Sequence, residues 1–248
     1  MKSTLIIAAF FLFFSNVSCK KSDNPPPPPP PPPGKVSLIK EVSTSVNGAT
    51  ATIKSYEYNT DNKIKHIKYG DGSYCNFIYS DQSVIADCYD KNAVASVKFT
   101  YTLNAAGLVS NVVYNTAPNV MSTFDYNAAG QQVHGLSKDN GTVTAEFFYK
   151  YNSNGNKITD SVIKPGGTAI NKYEYYTDKN STTEQVNLGQ PFFGTTNKSC
   201  LKKIILIAVD GTVTQSPYGV PELNVAGNIS KISIVYYGNT SVYSYTYY

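Results

Sequence analysis

The chain reads YKYNSNGNKI from residue 149 to residue 158, and close copies of this pattern recur along its length. Aromatic residues at alternate positions lie on one face of a strand. The Asn-x-x-Gly that follows turns the chain, because Asn and Gly tolerate a positive φ. The β-rich residues after it return antiparallel, so each copy predicts two strands joined by a turn.

Six copies predict a domain built from repeats, because their first aromatic residues are spaced by 21, 24, 23, 25 and 24 residues. These first residues are Tyr56, Phe77, Tyr101, Phe124, Tyr149 and Tyr173. In the sixth copy the turn falls at Asp178 and Asn180. Further hairpin signals lie between the copies, at Asn47-Gly48, Asp71-Gly72, Asn140-Gly141 and Asp210-Gly211.

The fold predicted from these patterns is all-β and almost free of helix. It is an antiparallel up-and-down meander of about fifteen strands, with long loops at 188–199 and 216–228. In the strand 142–151, alternation places Val143, Ala145, Phe147, Tyr149 and Tyr151 on one apolar face. A meander this long must roll onto its apolar face, as a barrel or as a barrel-like or sandwich-like sheet.

The first residues have the form of an export signal. Lys2 precedes the apolar run 5–14, and small or polar residues lead to Cys19. A cysteine at the cut resembles the lipobox of bacterial lipoproteins, in which the cysteine is lipidated and becomes the new N-terminus. We therefore expect residues 1–18 to be a signal peptide and Cys19 to carry the lipid that holds the protein on a membrane. The alternative is an ordinary signal peptide with a chance cysteine near its end.

A tether is predicted over residues 19–35, ahead of a single domain over residues 36–248. Nine prolines, 25–33, exclude helix and sheet. They favour an extended polyproline II rod of roughly 28 Å at about 3.1 Å per residue. This rod would be a spacer between lipid and domain; the alternative is a docking site for a partner that recognises proline.

The composition excludes one class of partner. All 21 cationic side chains are lysine, the formal net charge is only +4, and no arginine is present. Arginine is the usual bidentate reader of phosphate and guanine. Together with the export signal, this composition predicts no binding to nucleic acid.

The cysteines suggest a disulfide. If Asp81-Gln82 forms a two-residue hairpin turn, counting back from Ser80 and Ser83 places Cys75 opposite Cys88, within reach of a disulfide. The alternative is three reduced cysteines, because a one-residue change in the turn breaks this register. Cys200 would remain as a small buried hydrophobe.

The sequence contains little evidence of catalytic or metal-binding chemistry. Neither His66 nor His134 has a partner at metal-ligand or triad spacing, and we predict no catalytic residue, metal or cofactor.

The segment 160–162, Asp-Ser-Val, resembles the O-glycosylation acceptor of Bacteroidota exported proteins, which would make Ser161 the modified residue. The alternative is an ordinary strand segment.

The repeat tyrosines, which follow the period of the fold, are interpreted as core and cross-strand packing.

The Tyr-x-Tyr-Asn copies resemble the tyrosine-aspartate (YD) repeats of Rhs-type and teneurin-type proteins, with Asn in place of Asp. The lipobox, the linker, these copies, the segment 202–204 and the Tyr-rich strand 242–248 together resemble a Bacteroidota lipoprotein domain family of unknown function. A porin-like β-architecture has been proposed for that family. The resemblance covers residues 36–248 and implies a β-meander on an outer-membrane lipoprotein, facing the periplasm or the cell surface. It implies no catalytic residue.

Three functions follow as hypotheses. The first is a lipid-anchored binding or structural module that contacts an envelope protein or a glycan. The second is a carrier that encloses an apolar small molecule or lipid. The third, an enzyme, would require acids from different copies, such as Asp71, Asp160 and Asp178, to converge in one cleft. We expect the first and expect no enzyme; a transmembrane pore would need longer strands with an uncharged lipid face.

Overall fold

The computed structural model describes residues 38–181, 190–195 and 197–248. Residues 37–248 form one compact unit. The first nine strands are β1 Ile39–Val46, β2 Thr52–Tyr58, β3 Ile64–Tyr69, β4 Tyr74–Tyr79, β5 Ser83–Tyr89, β6 Ala95–Leu103, β7 Val109–Tyr114, β8 Ala117–Tyr126 and β9 Gln132–Asp139. The others are β10 Thr142–Tyr151, β11 Lys157–Lys164, β12 Gly167–Asn180, β13 Ser199–Ile207, β14 Val213–Pro217, β15 Glu222–Leu223, β16 Ile229–Tyr236 and β17 Asn239–Tyr247. A single turn of 3-10 helix, Pro191–Phe193, is the one helical element among the described residues.

The strands form one antiparallel sheet that follows the chain, which confirms the predicted all-β meander. From β1 to β14 each strand pairs with the next. β16 pairs with β15 and β17, and β17 pairs in turn with β1. Between β14 and β16 the pairing is reduced to one isolated bridge, from Tyr218 to Ile234. The sheet is therefore not closed by a continuous ladder.

Six turns share one hydrogen-bonding pattern. In each, the side-chain oxygen of an Asn or Asp accepts from the backbone N–H groups two and four residues later. The residues are Asn59, Asp90, Asn104, Asn127, Asn152 and Asn224. The fourth residue of the turn has a positive φ, 74° at Gly107 and 83° at Gly155, which glycine adopts without a side-chain clash. This geometry explains the Asn-x-x-Gly of the repeats.

Because successive strands run in opposite directions, five of these turns, all but that of Asp90, lie at one end of the sheet. We call it the Asn-turn end. Both chain ends of the domain lie there as well, since the Tyr248 amide donates to the Leu38 carbonyl at 3.1 Å. The opposite end, here called the hairpin end, carries tight turns such as Asn47-Gly48 and Tyr237-Gly238.

Two expectations on local structure were wrong. The turn predicted at Asp178 and Asn180 is absent, because β12 continues as strand to Asn180. The loop predicted at 216–228 contains the end of β14 and all of β15.

Tyrosine hydroxyls tie neighbouring strands together near the Asn-turn end. Each of five tyrosines donates to the carbonyl of the first residue of the preceding strand. The pairs are Tyr58 to Ile39, Tyr79 to Ile64, Tyr151 to Gln132, Tyr175 to Lys157 and Tyr247 to Ile229, at 2.6–2.8 Å. Tyr126 occupies the same repeat position, yet its buried hydroxyl has no partner among the described residues. The segment after β12 reaches this point, where a Cβ on Gly194 would lie 3.0 Å from the Tyr126 ring.

The inner face of the sheet holds the core. One cluster is formed by Ile39, Tyr56, Ile64 and Ile67, and another by Val84, Val109 and Phe192. Phe192, in the 3-10 turn, is only 4% exposed and packs among rings of the inner face. The apolar interior between β1 and β7 therefore contains two packed clusters of the protein's own side chains.

Candidate functional site

The predicted lipidation site, Cys19, lies outside the described residues, as do the linker and the signal peptide. Its lipidation stays a prediction. In the described part of the chain no helix has the length and apolar character to cross a membrane.

A disulfide joins Cys75 in β4 to Cys88 in β5, which are directly opposed in the sheet. The turn between these strands is the two-residue turn from which the register was counted, with the Ser80 amide donating to the Ser83 carbonyl at 2.9 Å. Cys75 is 7% exposed and lies on the inner face. The thiol of Cys200 is buried and donates to the Asn180 carbonyl.

The three acids that an enzyme would require have separate surroundings. Asp71 lies in the turn after β3, where hydrogen bonds from the hydroxyl and amide of Ser73 lower the pKa of its carboxyl. Asp178 is largely exposed beside Lys179 in β12. Asp160 is buried on the inner face of β11. No hydrogen bond or ion pair joins any two of these three acids.

Asp160 is the centre of a buried polar cluster. Its carboxylate accepts from the Lys157 ammonium at 2.8 Å, from the Asn171 amide at 2.8 Å and from the Tyr173 hydroxyl. The Lys157 ammonium also lies 4.5 Å from the centre of the Tyr173 ring. Burial, and then the Asp160 hydrogen bond, raise the pKa of Tyr173. The three donors neutralise and solvate this carboxylate, which makes the cluster a structural element.

His134 lies on the outer face between two carboxylates. Its ring nitrogens are each 2.9 Å from an oxygen of Asp125 and of Glu146, and these contacts raise the pKa of the imidazole. The ring rests against Phe148, with centroids 5.0 Å apart. Among the described residues no group of three or more His, Cys, Asp or Glu side chains is arranged to hold a metal ion.

Ser161, the predicted O-glycosylation site, lies in the middle of β11 and is partly exposed. Alternation places it on the outer face, because its neighbour Asp160 points inward. Its modification stays a prediction.

A stack of aromatic rings on the outer face of β3, β4 and β5 is the surface best suited to contact a partner. Tyr74 stacks on Tyr89, with centroids 5.0 Å apart and planes 18° apart, and His66 lies 5.4 Å from Tyr74 on its other side. All three side chains are partly exposed. We call His66, Tyr74 and Tyr89 the aromatic stack.

The disulfide positions this stack. Tyr74 precedes Cys75 and Tyr89 follows Cys88, so the bond on the inner face fixes the same cross-strand pair whose rings meet on the outer face. Neither tyrosine hydroxyl has a hydrogen-bond partner in the described part of the chain, in contrast to the repeat tyrosines of the inner face. Both hydroxyls are therefore free to bind a ligand.

A row of polar side chains runs beside the aromatic stack across five strands. Cross-strand pairing places in one line Glu57, His66, Asn76, Asp87 and Lys98. The Asn76 side-chain oxygen lies 2.7 Å from His66 Nδ1, and the Lys98 ammonium lies 3.5 Å from the Asp87 carboxylate. These contacts leave further donors and acceptors of the amide, carboxylate and ammonium available.

An open depression adjoins the stack toward the hairpin end. It is lined by Ile53, Ser55, Lys68 and the turn 69–72. Lys68 is directly opposite Tyr74 in the sheet, so the depression and the aromatic stack form one continuous surface. Gly70 allows the turn to approach β2, since a Cβ there would lie 3.2 Å from the Ile53 backbone.

No family model and no curated protein matches this sequence. Among solved structures, a porin-like protein from Bacteroides uniformis superimposes with a TM-score of 0.65 over 85% of this chain and 98% of that chain, at 13% identity. This chain has a porin-like β-fold. A second structure, of TcdB2-TccC3-TEV, matches 74% of this chain and 11% of that one, at 7% identity and a TM-score of 0.20, too low to indicate a shared fold.

The sequence reasoning missed the aromatic stack, although a signal for it was present. The register that opposes Cys75 and Cys88 also opposes Tyr74 and Tyr89, and alternation sends these rings to the other face. The sequence interpretation addressed the repeat tyrosines, and Tyr74 and Tyr89 lie outside the repeats. His66 could not be added in the same way, because its contact depends on the longer, three-residue turn at 70–72 between β3 and β4.

Proposed function

We propose that this protein is a lipid-anchored module of the cell envelope that binds a glycan on the outer face of β2–β6. The observation that carries the proposal is the stack of Tyr74 and Tyr89, partly exposed, with free hydroxyls and held by a disulfide. The porin-like fold of a Bacteroides protein supports an envelope role, and Cys19 would supply the anchor. We place the protein on the outer membrane, facing the periplasm or the cell surface.

The chemistry of the surface suits a sugar chain. Sugars present C–H faces that pack on aromatic groups and a rim of hydroxyls that both donate and accept hydrogen bonds. Tyrosine offers an apolar ring and a polar tip in one side chain. The polar row beside the stack, from Glu57 to Lys98, supplies acceptors and donors that could engage successive hydroxyls.

The carrier hypothesis receives less support. A carrier needs a continuous apolar cavity, whereas Phe192 and its neighbours pack together in the interior between β1 and β7. We likewise propose no enzymatic activity, because each of the three acids considered has its own hydrogen-bond partners or faces solvent.

A glycan array tests the proposal. The full-length lipoprotein, solubilised mildly from its own envelope, would be applied to oligosaccharides from peptidoglycan, capsule and lipopolysaccharide O-chains. We expect binding to at least one class, with affinity reduced about tenfold or more in Tyr74→Ala and Tyr89→Ala, which corresponds to about 1.4 kcal/mol or more. Phe148→Ala, which alters an exposed ring on β10, is the matched control and should bind as the native protein does. Equal binding by all variants, or binding to none of the glycans, would contradict the proposal.

A further inference from the structure

A lysine points into the interior of the sheet near the hairpin end. Lys54 lies in β2 two residues before Tyr56, which is 2% exposed, so alternation places both side chains on the inner face. The Lys54 ammonium lies 5.2 Å from the centre of the Tyr56 ring. It lies 5.3 Å from the centre of the ring of Tyr69, which is directly opposite Lys54 in β3. The two rings attract the cation but leave its charge unneutralised.

No acid of the described ranges neutralises this lysine. Burial lowers the pKa of the Lys54 ammonium, and no neighbouring carboxylate opposes that effect. Asp71, in the turn after Tyr69, accepts hydrogen bonds from Ser73 and forms no ion pair with Lys54. A charge in such a position is stabilised when water or an anion reaches it.

Tyrosine hydroxyls surround the same space. Those of Tyr56, Tyr69 and Tyr101 form no hydrogen bond with any residue that the structure describes. Burial, then Tyr114 and Tyr69, raise the pKa of Tyr101 to about 12, so Tyr69 and Tyr101 lie near one another although three strands separate them. Lys54, Tyr69 and Tyr101 face inward yet are partly exposed, which shows that solvent reaches this end of the interior.

The polar cluster around Asp160 shows which group fits such a site. There, too, a lysine lies between two tyrosine rings, with the Lys157 ammonium 5.5 Å from the centre of Tyr149 and 4.5 Å from that of Tyr173. One oxygen of the Asp160 carboxylate accepts from both the Lys157 ammonium and the Tyr173 hydroxyl. The surroundings of Lys54 offer the same two kinds of donor without the acid.

We propose that the inner face at the hairpin end binds the carboxylate of a small organic acid, with Lys54 as its counter-ion. The hydroxyls of Tyr69 and Tyr101 donate to the carboxylate. The apolar part of the acid packs on the Tyr56 and Tyr69 rings, which belong to the cluster of β1–β3 or pack against it. A single lysine, in a chain without arginine, suits one carboxylate better than a phosphate.

This acid site is separate from the glycan proposal, because it lies on the opposite face of the sheet from the aromatic stack. It also differs from a carrier of an apolar molecule, since charge holds the ligand and no enclosed apolar cavity is needed.

Nuclear magnetic resonance of the full-length lipoprotein in detergent, with ¹³C-labelled lysine, tests the proposal. The probe is benzoate, and the control is benzamide, which has the same ring and no charge. The Lys54 signal is assigned by its loss in Lys54→Met. In the free protein we expect Lys54 to titrate below the other lysines, and benzoate should raise its pKa whereas benzamide should not.

Substitutions test the two kinds of donor. Lys54→Met should weaken benzoate binding about tenfold or more, because it removes a charge-assisted bond. Tyr69→Phe should weaken the binding by a smaller factor. Lys150→Met, which alters an exposed lysine of β10, is the matched control and should bind benzoate as the native protein does.

An internal carboxylate should compete with the probe. Val42 is directly opposite Lys54 in β1, so Val42→Asp would place an acid beside the ammonium, as Asp160 does for Lys157. This variant should raise the pKa of Lys54 and abolish benzoate binding, whereas Val42→Asn should retain binding. Circular dichroism reports whether each variant is folded.

Three results would overturn the proposal. They are equal binding of benzoate and benzamide, benzoate binding that survives Lys54→Met, and a Lys54 pKa that is not lowered in the free protein. The last would show that an acid of this chain already occupies the site.

Discussion

The two sides of the inner face differ in chemistry although one repeat builds both. The side from β1 to β7 buries apolar residues such as Ile64, Val84 and Val109, each at most 1% exposed. The side around β11 and β12 buries Asp160, with Lys157 as its ion-pair partner. The turn, the strand pairing and the tyrosine-to-carbonyl bond are nevertheless the same on both sides. The difference teaches that the repeat specifies the backbone, while the inward residues are free to vary if their polar groups are satisfied.

The largest effect on stability is expected when these inward polar groups lose their hydrogen-bond partner. Asp160→Ala leaves the half-buried Lys157 ammonium, Tyr173 hydroxyl and Asn171 amide without their acceptor. We expect a loss of about 3–5 kcal/mol in the free energy of unfolding, the usual result of breaking a buried ion pair from one side. Denaturant unfolding monitored by circular dichroism would measure it.

The matched control replaces the cluster as a whole. A Lys157→Met, Asp160→Leu and Tyr173→Phe triple variant should recover most of that loss, because apolar groups of similar volume often substitute for a buried pair at little cost. A triple variant as unstable as Asp160→Ala would show that the polar lining is itself required by the fold.

A smaller effect is expected from the tyrosine hydroxyls. Tyr79→Phe, on the apolar side, and Tyr151→Phe, on the polar side, should each lose about 0.5–1.5 kcal/mol, since each removes a hydrogen bond to a backbone carbonyl. Tyr126→Phe should be neutral or slightly stabilising, because the buried hydroxyl that it deletes has no partner among the residues that the structure describes. Thermal unfolding of the three variants side by side would measure these differences in stability. An equal loss of stability at all three positions would contradict the role given to the hydroxyl hydrogen bonds.

The smallest effect concerns the outer face and depends on pH. Since Asp125 and Glu146 raise the pKa of His134 above its unfolded value of about 6.5, the stabilisation is fully present below that pH and is lost as pH rises through the folded pKa. Solvent limits it to less than about 1 kcal/mol. The stability difference between native protein and His134→Gln should shrink from pH 5.5 to pH 8.5; a constant difference would refute the ionic role.

Much of the strand order and register could be predicted from local patterns, because each turn is specified by residues that are neighbours in the sequence. Asn152 and Gly155 make one turn by their own hydrogen bonds and φ, so their spacing is readable in the sequence. The hairpin at Asp81-Gln82 set the register of β4 and β5 for the same reason. The strands that followed such turns were placed correctly.

The polar cluster could not be predicted, because bulges change which face a residue occupies. Strict alternation places Lys157 and Asp160, three residues apart, on opposite faces. The bulge between β10 and β11 skips Ile158 and brings both inward. A second bulge between Val143 and Ala145 likewise leaves Val143 45% exposed instead of on the apolar face. The short pairing between β14 and β16 depends on the relative length of two hairpins, which no local pattern contains.

The pairing of β1 with β17 has a consequence for the order of events during synthesis. Nearly all other contacts form between strands adjacent in the chain, whereas this one joins regions such as Asn47 and Asn239, 192 residues apart. A nascent chain can assemble its hairpins one after another, but β1 cannot pair with β17 until β17 has been synthesised. A product truncated before β17 would keep most of its hairpins and expose β1 as a bare edge, the form most prone to aggregation.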